Sequence, residues 1–126
     1  MARPPRLSLD EFERLVEEAL RELPAPFRDV VERENLVIAV EEEPADDDYD
    51  LSDTPDDEEL FGIYRGPMRT QRDFNELPGL PPMIAVFRGP ILRNTRSQRE
   101  AVREIKDTLV HEIGHFFGLE DHDMPY

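Results

Sequence analysis

The chain has 126 residues, of which 30 are acidic and 15 basic, for a formal net charge of −15. That length fits one domain, residues 1–126, able to bury a core of its own. The charge argues against nucleic acid as a partner. There is no cysteine, which excludes disulfides and thiolate ligands, so any metal must be held by nitrogen and oxygen. The same absence fits a cytoplasmic protein. The basic start Met1-Ala2-Arg3-Pro4-Pro5-Arg6 is followed by no apolar run of signal-peptide length, and no segment is long enough to span a membrane.

Residues 1–7 read as a flexible N-terminus, and 8–22 as a helix. Ser8 and Glu11 have capping-box spacing, and Leu7 can staple onto Phe12 across the cap. Phe12, Leu15, Val16, Ala19, Leu20 and Leu23 follow helical spacing, so one face is buried. Pro24 and Pro26 stop that helix, and Phe27 to Glu32 has the length of a short second one. Leu36-Val37-Ile38-Ala39-Val40 is a continuous apolar run and reads as a strand covered on both faces.

Residues 41–59 then carry twelve acids and no Lys or Arg. The other 18 acids face 15 bases, so the excess charge belongs to this one segment. It reads as a solvated loop, with attraction of a basic peptide and binding of hard cations as the alternatives. Asp46-Asp47-Asp48-Tyr49-Asp50 lacks the spacing of a calcium loop. Arg65, Arg69 and Arg72 are placed to pair with these acids and tether them.

Leu60-Phe61-Gly62-Ile63-Tyr64 is the second predicted strand, stopped by Gly66-Pro67. Residues 67–82, with five Pro and Gly, read as a loop. Met83-Ile84-Ala85-Val86-Phe87 is the third strand, closed by Gly89-Pro90, with Ile91-Leu92 continuing extended. The last helix opens at Ser97, with Glu100 at capping-box spacing, and runs to about Phe117, where Gly118 suits a left-handed cap. Helices flanking a few strands define an α+β domain with a small mixed sheet of three to four strands.

All three histidines lie in His111-Glu112-Ile113-Gly114-His115-Phe116-Phe117-Gly118-Leu119-Glu120-Asp121-His122. Residues four apart on a helix share a face. His111 and His115 can therefore hold one metal ion, with Glu112 beside it as a base. The helical wheel places Val102, Ile105, Leu109, Val110, Ile113, Phe116 and Phe117 on one arc. His111 and His115 fall opposite, in line with Glu104 and Thr108, and Glu112 lies between the two arcs. A catalytic zinc needs a third protein ligand. Glu120, Asp121, His122 and Asp123 follow the turn at Gly118, with Asp121 preferred on spacing and His122 next. Such a donor set suits zinc, with manganese or iron as alternatives.

The motif His111 to Asp121 resembles that of the minimal zincins, short bacterial zincin-like metallopeptidase domains ending in His-Glu-x-x-His-x-x-Gly-x-x-Asp. Phe61-Gly62-Ile63-Tyr64-Arg65-Gly66 and Ile84-Ala85-Val86-Phe87-Arg88-Gly89-Pro90 support the likeness, which covers about residues 8–126. The resemblance implies a minimal zincin-like fold, its sheet packed against an N-terminal helix and a C-terminal active-site helix. It implies one zinc ion on His111, His115 and Asp121, with Glu112 as catalytic acid/base. The expected function is zinc-dependent hydrolysis of a peptide or protein substrate. The alternative is a non-catalytic metal-binding or protein-interaction domain on the same fold. By the same resemblance Met83–Phe87 is the candidate strand for pairing with an extended substrate. His122, Tyr126 and Arg88 are candidate oxyanion donors. Larger relatives carry a methionine turn well downstream of the motif; here Met124, in Met124-Pro125-Tyr126, is expected to be a packing residue rather than its equivalent.

Overall fold

The first helix, α1 (Leu9–Glu22), starts on the predicted cap. The Ser8 hydroxyl accepts from the Glu11 N–H at 3.1 Å, and Glu11 Oε1 accepts from the Ser8 N–H at 3.1 Å. The computed structural model that shows this describes residues 7–52, 54, 55, 57–66 and 82–116. Leu7 is buried in the same cluster as Phe12, as expected for a staple across the cap, and residues 1–6 lie outside the described residues. Helix α2 (Ala25–Arg33) has Pro24 at its N-cap and Pro26 in its first turn, where a missing N–H breaks no helical bond.

Strands β1 (Val37–Glu41), β2 (Gly62–Arg65) and β3 (Met83–Phe87) form a mixed sheet in the order β1-β3-β2. Strand β3 runs parallel to β1 and antiparallel to β2. The α+β class and the mixed sheet are as expected. Two expectations about individual strands are corrected. The run ending at Val40 is an edge strand among the described residues, with Val37 39% exposed and the rest of β1 half-buried, because there it has a neighbour on one side only. Met83–Phe87 is the central strand, bonded on both sides, so it offers no edge to an extended substrate. Its residues Ile84 to Phe87 are fully buried.

Strand β3 passes directly into helix α4 (Arg88–Arg93). Ile91 and Leu92 are therefore helical and buried, not extended. Helix α5 (Gln98–Phe116) follows, with the Ser97 hydroxyl accepting from the Glu100 N–H at 3.1 Å. Side-chain alternation divides the core. Ile84 and Val86 join α1 and α5 on one face of the sheet, while Ala85 and Phe87 join Leu60 and Ile63 on the other.

The acidic segment departs from a solvated loop. It contains helix α3 (Asp46–Leu51), which sets Tyr49 against the second core cluster, and the Tyr49 hydroxyl accepts from the Leu60 N–H at 3.4 Å. Arginines hold the segment at several points. Arg65 forms a bidentate pair with Glu41 at 2.7 and 2.9 Å and also reaches the buried Asp48 at 3.0 Å. Arg88 pairs with Glu42, and Arg93 pairs with both Glu43 and Glu59. The expected Arg65 tether is present, and Arg69 and Arg72 lie outside the described residues. Gly89 permits the docking: its N–H donates to the Glu42 carbonyl at 2.9 Å, and an added Cβ would lie 2.9 Å from that same oxygen.

Candidate metal centre

Helix α5 lies against β2 along a stripe of residues spaced four apart. At its first step Thr108 meets Gly62: an added Cβ at Gly62 would lie 2.5 Å from Thr108 Cγ2 and 2.9 Å from the Ala85 carbonyl oxygen. Only a residue without a side chain lets strand and helix approach this closely. One turn on, Glu112 Oε1 accepts from the Tyr64 main-chain N–H at 2.9 Å. A further turn on, the Phe116 and Tyr64 rings stack with centroids 5.5 Å apart.

The Tyr64 bond follows from sheet geometry. The Phe87 N–H donates to the Phe61 carbonyl, so in the antiparallel ladder Gly62 and Tyr64 direct their main-chain groups away from β3. Edge strand β2 thus supplies the donor that orients Glu112. A carboxylate has about four lone-pair sites, so this bond aims the group without exhausting its acceptors.

The histidines occupy the next stripe of the helix. His111 and His115 are half-buried, and their rings meet edge to face with centroids 4.7 Å apart. Ligand atoms of His111, Glu112 and His115 all lie within 4.8 Å of one another, close enough to hold one ion. Nitrogen donors with a carboxylate fit a zinc-type site. Glu112 is buried, 9% exposed, against β2 rather than midway between an apolar and a solvated arc. Thr108, placed on the histidine face by the wheel, is buried as well. Asp121, His122, Met124, Tyr126 and Gly118, the expected helix cap, lie outside the described residues. Arg88 does not line the cleft described next: it is bound to Glu42 and to the Leu7 carbonyl, which removes it as an oxyanion donor.

A cleft of roughly 340 Å³ opens beside His111 and Glu112. Its other walls are the start of β2 (Leu60, Phe61, Gly62), Thr54, Glu58 and Glu59 from the acidic segment, and Glu104, Asp107 and Thr108 on α5. Burial holds the Glu104 carboxyl above the usual carboxylate range, and the neighbouring charge of Asp107 adds to the rise. Sequence reasoning set Glu104 on the histidine face but missed that it shares a cleft with Asp107, Glu58 and Glu59, and missed the partnership of Tyr64 with Glu112. Gly62 inside an apolar run was the available signal of a close approach.

The match to the family of zincin-like metallopeptidases spans residues 33–126, and the chain belongs to that family. Its fold is similar to that of a conserved hypothetical protein from T. thermophilus. The TM-score is 0.56 at 21% identity, over 88% of this chain and 94% of that one. No curated protein sequence matches. Among the described residues no helix is long and apolar enough to cross a membrane.

Proposed function

We propose that the chain is a zinc-dependent peptidase in which His111, His115 and Asp121 hold the ion and Glu112 is the general base. The observation that carries this reading is the placement of Glu112. Its carboxylate sits within 4.8 Å of both candidate imidazole ligands and is held by the Tyr64 N–H, and the residue lines a cleft. When bound, zinc supplies Lewis acidity, lowering the pKa of water toward about 7 and polarising a carbonyl oxygen. Glu112 accepts the proton of the attacking water as its oxygen bonds to the scissile carbonyl carbon. The C–N bond then breaks, and Glu112 returns the proton to the leaving amine. The products are a carboxylic acid and an amine. Substrate backbone has the Gly62 end of β2, which lines the cleft, as its strand edge.

The same hydrogen bond favours one other reading. Glu112 pins β2 to α5, so a domain that binds metal without catalysis would also have a use for it. Replacing Glu112 by Gln separates the two, because Gln keeps the acceptor for Tyr64 and loses the base. Zinc-loaded wild type is expected to cleave a diverse peptide library, and the Gln variant to bind zinc and fail to cleave. Equal cleavage by both overturns Glu112 as base. Zinc binding without cleavage by wild type supports the non-catalytic domain.

A further inference from the structure

Glu41, Asp48, Glu42, Glu43 and Glu59 each face an arginine. Glu104 and Asp107 do not: among the described residues neither takes part in an ion pair, although Glu104 is half-buried and has Asp107 as a like-charged neighbour. Glu58 and Glu59 face the same cleft, and none of the described residues lining it is Lys or Arg. Thr108 makes a second, independent observation. It is 9% exposed, its methyl lies against Gly62, and among the described residues its hydroxyl has no hydrogen-bond partner, although it lines the cleft.

Like charges held together in a partly desolvated wall are costly, and a cation placed between them relieves the cost. The cleft volume lies at the lower end of the roughly 300–1,000 Å³ of small-ligand sites. Resting on the peptidase reading, we propose that this cleft is the subsite for a basic side chain, Lys or Arg, of the substrate at one fixed position beside the scissile bond. Glu104 and Asp107 are its specificity-determining residues, and Thr108 offers its hydroxyl to the same side chain.

The test uses otherwise identical peptides carrying Lys, Arg or norleucine at each position in turn. For wild-type zinc-loaded enzyme, kcat/KM is expected to favour Lys or Arg over norleucine at one position. In Glu104→Gln/Asp107→Asn that ratio is expected to fall by about threefold to tenfold, between the effects of exposed and of buried charge pairs. The preference should also weaken with added salt. A wild-type enzyme indifferent to the basic residue, or a double variant with an undiminished ratio, overturns the subsite.

Should wild type cleave nothing, the peptidase reading fails, and binding of the same peptides to the zinc-loaded protein decides the subsite separately. Tighter binding of Lys than norleucine peptides, lost in the double variant, supports it. Equal binding overturns it, as does a cleft that titrates with calcium alone.

Discussion

The main-chain N–H of Tyr64, on the edge strand, donates to Oε1 of Glu112, on the helix that carries both candidate metal ligands, at 2.9 Å. This bond ties the proposed base to the sheet and has a direct consequence for mutation. Glu112→Gln retains the acceptor and should unfold close to wild type, while peptide cleavage falls by about 10²–10⁴. Glu112→Ala removes the acceptor of the part-buried Tyr64 N–H and should additionally lose about 1 kcal/mol of stability or more. Urea unfolding of the two variants beside a cleavage assay checks both.

Gly62 sets the separation of β2 and α5. Gly62→Ala should cost about 1–3 kcal/mol, because its Cβ would meet Thr108 Cγ2 at 2.5 Å and the Ala85 carbonyl at 2.9 Å. Adding Thr108→Ser removes the methyl but not the carbonyl, so the double variant should recover part of the loss. Urea midpoints of the single and double variants decide it, and no recovery would place the strain at Ala85.

Zinc content is expected to be one ion per chain and to be lost in His111→Ala and His115→Ala. Removing the ion with a chelator should lower Tm in wild type, since a ligand bound to the native state stabilises it by mass action. Asp121→Ala and His122→Ala compare the two candidates for the third ligand. The proposal requires that Asp121→Ala loses zinc and His122→Ala keeps it, as read by metal analysis after gel filtration.

The Arg93 clamp predicts an acid-side loss of stability. Hydrogen bonds from Arg93 hold the Glu43 and Glu59 carboxyls below their usual 4.5. A carboxyl whose folded pKa is depressed contributes above the unfolded value, and the contribution disappears as pH falls through the folded one. Arg93→Met should therefore be less stable than wild type at pH 7, with the difference closing as pH drops below about 4.5. These groups are largely exposed, so the gap should be no more than about 1 kcal/mol. Paired urea titrations at neutral and acid pH measure it.

Much of the chain is legible because its signals are local. Ser8 with Glu11 marks a helix start through bonds between residues three apart, and Met83–Phe87 is a strand over the range its apolar run indicates. The acidic segment reads as a loop in sequence because its helix depends on remote partners. Tyr49 reaches the second core cluster, and Arg65, Arg88 and Arg93 come from far along the chain. Composition shows the charge of such a segment but not which arginines meet it.

The candidate chemistry is readable from residue spacing. His111 and His115 share a helical face whatever the rest of the chain does, because their spacing is set by helical pitch. The tertiary structure alone decided which strand is central, that Tyr64 of the edge strand orients Glu112, and that Glu104 and Asp107 line a cleft while arginines elsewhere meet other acids. Each of these depends on which distant segments pair, and an apolar or acidic run carries no record of its partner.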